Sequence, residues 1–233
     1  MEKNCSFLKL RIVSPMSLKA ELHQHSRYSQ HTDRFLGLDT SIENIAKTCK
    51  QKGISIFSVT DHDTIDGHEE GKYYAKKYGL LFVPGAEVST RQGHVLALGI
   101  RKLIPKHLTL NEAADAVHEQ GGVVVAAHPF QIPYGCLWGF VGSRIDAIEG
   151  QHAYAIGNSL TNWVNRFARK PVIAGSDAHY LDEIGLVYTL FPDTVKNAAM
   201  ALSAIRENRI MIGGTNIGIL RAAARRLREI QSK

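Results

Sequence analysis

The stretch AELHQHSRYSQH, residues 20–31, carries His23, His25 and His31 within nine positions, directly after a run that reads as a β-strand. Neutral imidazoles are the commonest protein ligands for metal ions. In extended backbone the side chains alternate faces, so the two imidazoles of HQH point the same way and can chelate one ion. The segment SDAH repeats this geometry with a carboxylate at Asp177 and an imidazole at His179. Asp61 and His62 follow ISIFSVT, Glu87 ends LLFVPGAE, and His128 ends VVVAAH. Any one histidine at a strand end is more often a hydrogen-bonded structural residue than a ligand. Here every candidate falls at the C-terminal end of an expected strand, the edge where parallel α/β folds gather ligands. The carboxylate of Glu87 has two oxygens and can bridge neighbouring ions. Mixed nitrogen and oxygen donors favour Zn, Mn or Fe over Ca or Mg.

The elements that must position these residues alternate along the chain. LKAEL precedes the first histidines, and Thr40 and Glu43 stand at capping-box spacing before NIAKTCKQKG, a helix closed by Gly53. ISIFSVT reads as a buried strand, IDGHEEGKYYAKKYG as a helix, and LLFVPGAEVS and HVLALGI as strands paired across the turn at RQG. Thr109 and Glu112 repeat the capping-box spacing at LNEAADAVHEQGG, ahead of VVVAAHP. IDAIEG, a helix around SLTNWVNRFARK, PVIAGSDAH, LVYTLFP and a helix over VKNAAMALSAIREN complete the rhythm. Such alternation predicts an α/β fold on a parallel sheet, open or closed into a barrel.

The 233 residues, 44% hydrophobic and 21% charged, fit one folded domain and neither a disordered nor a fibrous chain. No apolar run reaches the ~18 residues of a membrane span, and the N-terminus lacks a signal-peptide core, so a cytoplasmic protein without a membrane partner is expected. Cys5, Cys49 and Cys136 are too few and too scattered for a disulfide framework or a zinc knuckle. The net charge of +6 is concentrated in the last fifteen residues, where Arg221, Arg225, Arg226, Arg228 and Lys233 face Glu229 alone. A basic amphipathic helix is expected over about 217–233, packed through its Ile and Leu residues, with nucleic-acid contact as the minority reading.

The ordered motifs ELHQHS, SVTDHDT, GAEVS, AAHPF and GSDAH resemble those of the PHP (polymerase and histidinol phosphatase) domain, a family of metal-dependent phosphoesterases. The resemblance covers most of the chain. It implies a distorted seven-stranded β/α barrel with up to three metal ions. Carried over by position, it assigns metal ligation to His23, His25, His62, Glu87, His128, Asp177 and His179. His94, at the start of HVLALGI, matches a further histidine of the family. Many members place an aspartate where this chain has Gln30, and the adjacent His31 is assigned to the third ion in its place.

The resemblance implies a phosphoester hydrolase with two or three divalent ions (Zn, Mn or Fe) and with Asp177, His179 and Glu87 at the reacting centre. Such ions lower the pKa of a shared water from ~15.7 towards ~7, giving a hydroxide that attacks phosphorus in line. Arg27, Arg144 and His152 are candidate substrate-binding residues, the arginines as phosphate clamps and His152 as an outer contact or substrate group. Asp61 and Asp63 could orient the His62 ring or donate a proton; capping the next helix is an equal reading. No P-loop, GxSxG elbow or cysteine nucleophile motif competes. The expected substrate is a phosphorylated small metabolite or nucleotide. Only 40 residues lie between Glu87 and His128, where the family's nucleotide-bisphosphate and short-RNA phosphatases carry a long insertion, so an open pocket is expected. A nuclease acting on nucleic-acid ends is therefore a second reading, and a non-catalytic, metal-stabilised binding module a third. Composition and motifs give no oligomeric state. If His31 replaces the missing aspartate, His31→Ala loses roughly one ion per chain by elemental analysis whereas Gln30→Ala keeps the full content; equal retention by both variants would refute the assignment.

Overall fold

The computed structural model describes residues 15–29, 39–131, 135, 137–154 and 157–215. His31, Gln30 and the expected basic helix at 217–233 lie outside them. Ten strands are described: β1 (Met16–Glu21), β2 (Ile54–Phe57), β3 (Leu81–Phe82), β4 (Gly85–Thr90), β5 (Gly93–Leu98), β6 (Val123–Ala126), β7 (Ala147–His152), β8 (Val172–Gly175), β9 (Val187–Pro192) and β10 (Met211–Gly214). The helices are α1 (Ile42–Gln51), α2 (His68–Tyr78), α3 (Leu110–His118), α4 (Asn158–Ala168) and α5 (Ala198–Arg206).

The α/β expectation holds, but the sheet is mixed. Among the described residues the strands form two five-stranded sheets, ordered β10-β9-β1-β2-β3 and β4-β5-β6-β7-β8. Their ladders do not by themselves close a seven-stranded barrel. The β1–β2, β2–β3, β6–β7 and β7–β8 pairs are parallel, whereas β4–β5, β5–β6, β1–β9 and β9–β10 are antiparallel. For β4–β5 the cause is local: only Arg91 and Gln92 join the two strands, and so short a link permits only an antiparallel hairpin. Within LLFVPGAEVS the chain also changes sheets. Pro84 cannot donate to a ladder, and β3 ends before it while β4 begins after it. Gly85 is required there, because a Cβ would lie 2.7 Å from Ser58 Oγ.

Period-two alternation gives the second sheet two buried faces. Leu96, Leu98, Val123, Val125 and Ile173 join Leu22, Ile56 and Phe191 of the first sheet and Leu202 and Ile205 of α5 in one core. The intervening Val95, Ala97, Val124, Ala126 and Ile148 pack instead on Leu110, Ala113, Val117 and Val164 of α3 and α4. This is why VVVA reads as unbroken apolar sequence: all four residues are buried.

The helices start where their caps allow. Thr109 Oγ1 accepts from Glu112 N at 3.3 Å while Glu112 Oε2 accepts from Thr109 N at 2.8 Å, the reciprocal box read from sequence. The first box is displaced. Ser41, not Thr40, caps α1 by accepting from Asn44 N, and Glu43 turns outward to Lys77 and Tyr78. Thr40 is buried, and its carbonyl accepts from Arg27 N.

His68 at the start of α2 is 6% exposed and donates through Nε2 to Gly85 O at 2.9 Å. Burial holds its imidazole below the ordinary value of 6.5, against the partial support of that bond. The unfolded chain therefore takes up this proton more readily than the folded one, and stability falls as pH drops through ~6.5 and is full above it. His68→Gln keeps a donor without the titration. Denaturant midpoints between pH 7.5 and 5 should fall less for this variant than for wild type; parallel profiles would rule the coupling out.

Candidate metal centre

Beyond β1 the chain stays extended through His23 and His25. Beyond β8 the chain departs from the extended path expected of SDAH by turning left-handed at Asp177, and the two segments still lie side by side in parallel. Asp177 N donates to His23 O and His25 N to Ala178 O, each at 2.9 Å. This pairing turns the HQH and DAH side chains to a common face. His25 Nε2 is 3.0 Å and His23 Nε2 3.3 Å from Asp177 Oδ1. His179 donates from Nδ1 to the Asp177 carbonyl at 2.8 Å, which leaves its acceptor lone pair on Nε2.

Glu87, on β4, is 1% exposed and sits at the middle of the cluster. Its Oε2 lies 3.3 Å from His23 Nε2, 3.2 Å from His25 Nε2 and 3.4 Å from His62 Nδ1. Its Oε1 lies 2.8 Å from His94 Nδ1 and 3.0 Å from His128 Nε2. Two donor sets result, His23–His25–Glu87–Asp177 and His62–Glu87–His94, and within each the ligand atoms lie within 4.8 Å of one another. Glu87 belongs to both. The structure thus brings eight of the nine sequence-assigned ligands together; the ninth, His31, lies outside the described residues.

The donor spacing fits divalent ions. Bonds of ~2.1 Å put neighbouring ligand atoms ~3.0 Å apart in an octahedron and ~3.4 Å apart in a tetrahedron. Four contacts in the first donor set, at 3.0–3.3 Å, fall within that window. The electrostatics agree. Burial pushes the His25 imidazole down, but Asp177 and Glu87 outweigh it and raise it to about 10. Burial likewise opposes charge on Glu87 and Asp177, yet the surrounding imidazoles hold both carboxyls well below their usual range. Negative potential from buried carboxylates, lined by imidazole nitrogens, is the environment a dication completes.

Backbone strain accompanies the ligands. His128 has φ +29° and Asp177 φ +51°, left-handed values that cost non-glycine residues on the order of 1–3 kcal/mol each. Asp63, at φ +50°, is braced by accepting from Ser89 N at 2.8 Å and Ser89 Oγ at 2.9 Å.

Several supporting residues escaped the sequence reading, and Asp61, which it named beside His62, meets Ser26 and Ser29. Ser29 Oγ stands 3.1 Å from His25 Nδ1, accepts from His62 N and donates to Asp61 Oδ1 at 2.9 Å. Asp61 also accepts from Ser26 N and Oγ, so it braces the HQH loop. Buried Glu21 accepts from Ser176 Oγ, Ser176 N and Gly185 N, and burial raises its carboxyl to about 7 against those bonds. Glu183 Oε2 accepts from His179 N at 2.8 Å. Glu149 places Oε1 2.9 Å from His23 Nδ1. The available signal was a lone glutamate inside an apolar strand, in LKAEL and again in IDAIEG.

The three candidate substrate residues separate. His152 is fully buried in the cluster, with Nε2 3.3 Å from Asp177 Oδ2 and Nδ1 accepting from Tyr154 N, so its proton sits on Nε2. Arg27 is engaged by Glu70 at 2.5 Å on the surface. Arg144 pairs with Asp115 before the start of β7, roughly a strand length (~20 Å) from His152 at its other end. The structure does not bring Arg144 to the cluster.

Residues 164–210 match the family model described as PHP-associated. An uncharacterised protein of Methanocaldococcus jannaschii is 37% identical over 147 residues, covering 59% of this chain and 83% of that one. A 5'-3' exoribonuclease of Haemophilus influenzae is 31% identical over 114 residues, 47% of this chain but only 39% of the exoribonuclease. In structure, a two-domain Bacteroides vulgatus protein containing a predicted PHP-like metal-dependent phosphoesterase superposes with a TM-score of 0.69 at 15% identity, over 91% of this chain and 69% of that one. With its motifs in order and their side chains converged on one shared carboxylate, the chain belongs to the PHP family.

Proposed function

We infer that the protein hydrolyses a phosphomonoester or phosphodiester of a small metabolite or nucleotide, using two or three divalent ions (Zn, Mn or Fe). The observation that carries this reading is Glu87, whose two oxygens serve two donor sets at once. His23, His25 and Asp177 would hold one ion and His62, His94 and His128 a second, with Glu87 common to both and His179 closing the cluster from the DAH segment. When bound, such ions supply Lewis acidity to phosphoryl oxygens and a water acidic enough to attack near neutral pH.

The chain's own residues do the rest. Buried carboxylates balance the ionic charge, and the low-dielectric walls strengthen every electrostatic contact in the pocket. His152, with its proton on Nε2 3.3 Å from Asp177 Oδ2, would act as an outer contact that holds that carboxylate. The distorted barrel reading is supported by backbone bonds that link the two sheets beyond their ladders. Asp63 N bonds Glu87 O and Asp177 N bonds His23 O between the sheets, while Thr60 N bonds Gln24 O beyond the β1–β2 ladder within one of them; these contacts support reading β1, β2, β4, β5, β6, β7 and β8 as the barrel order.

A nuclease acting on strand ends is the second reading, favoured by the similarity to the exoribonuclease. Phosphorylated metabolites and short oligonucleotides, each tested with Mn and with Zn, separate the two. No helix among the described residues is long and apolar enough to cross a membrane.

Asp177→Ala removes a carboxylate that contacts three imidazoles of the cluster. Even outer ligand contacts typically contribute ~10–100-fold, so loss of this inner one should cost more than ~100-fold in turnover. The circular-dichroism spectrum should be retained, because the core of valines, leucines and isoleucines lies apart from Asp177. Near-normal turnover by this variant would overturn the assignment.

A further inference from the structure

Glu149 is a fully buried carboxylate on β7 that lies in neither donor set, and both its oxygens are committed. Oε1 lies 2.9 Å from His23 Nδ1. Oε2 accepts from the backbone N–H of His128 at 2.8 Å. These two histidines sit on opposite sides of Glu87, His23 Nε2 against Oε2 and His128 Nε2 against Oε1. The carboxylate therefore touches one ligand of each proposed ion position without contacting an ion itself.

The two contacts do different work. A carboxylate facing Nδ1 keeps the proton on that nitrogen, leaves the Nε2 lone pair turned inward and raises the ring's basicity. The bond to His128 N holds a backbone at φ +29° that would otherwise relax. The surroundings keep room for this: a Cβ on Gly175 would lie 2.2 Å from Glu149 Oε1 and 2.6 Å from His23 Cβ, so only glycine at the end of β8 leaves the pair in contact.

We propose that Glu149 is a positioning residue common to both ion positions, orienting His23 for one and His128 for the other, so that the two ions are gained and lost together. This rests on the two-ion reading of the centre. Glu149→Gln tests it, since His23 and His128 meet different oxygens of the carboxylate and in the amide one of these becomes an NH2 group that opposes the donor it meets.

The readout is Zn and Mn affinity per site, from competition against a chromophoric chelator, alongside the thermal midpoint of the chelator-treated protein. The expected result is a ~10–100-fold weaker affinity at both positions with the metal-free midpoint near wild type. Gly175→Ala, which keeps the carboxylate but displaces it, should weaken binding in the same way and carries the test if the glutamine variant does not fold. Wild-type affinity in the variants, or weakening at one position only, overturns the proposal while leaving the metal centre standing. Failure of the wild-type protein to bind either metal would instead overturn the reading on which it rests.

Discussion

A carboxylate with both oxygens buried must be surrounded by positive or polar groups, because an uncompensated buried charge costs several kcal/mol. Glu87 meets that constraint with imidazoles alone: His23, His25 and His62 approach one oxygen, His94 and His128 the other. These five rings come from four separate stretches of chain, so satisfying one charge requires both sheets to end at the same place. Much of the fold's irregular backbone follows from this requirement.

The joining of the sheets is the first consequence. Regular ladders stop at Glu21, Phe57 and Gly175, but backbone bonds continue past each end through His25–Ala178, Gln24–Thr60 and Asp63–Glu87. Each continuation carries or abuts a donor to the centre. The second consequence is strain: His128, Asp177 and Asp63 all hold left-handed backbone beside the cluster. The bonds holding them come from His23, Glu149 and Ser89, so the strain is balanced by the same network that orients the rings.

Around the rings lies a layer of carboxylates that fix rather than ligate. Glu21 ties β1 to the loop after β8, Asp61 ties the HQH loop to the end of β2, and Glu183 holds the His179 backbone. Lys52 adds a cation from the end of α1, donating to the carbonyls of Leu181, Asp182 and Ile184, in the loop that carries Glu183. Such contacts set which nitrogen of a histidine carries its proton, and hence which faces an ion.

The sequence alone determined the chemistry of the centre, because motif spacing is local. HQH spacing on extended backbone puts two imidazoles on one face, and the place of HQH and DAH after apolar runs identifies strand ends, although DAH itself leaves the extended path at Asp177. It also determined the α3 capping box, a contact three residues long. What only the tertiary structure decided involves partners far apart in the chain. The shift of the α1 cap to Ser41 depends on Thr40 being buried against the Arg27 loop. The mixed strand directions depend on how β5 finds β6 and how β9 finds β1. Arg27 and Arg144 read as phosphate clamps in the sequence, and only the fold shows that Glu70 and Asp115 are their surface partners. Glu149 has no motif at all, since its meaning comes from His23, 126 residues away, and a lone glutamate in an apolar strand does not say which ring it will meet.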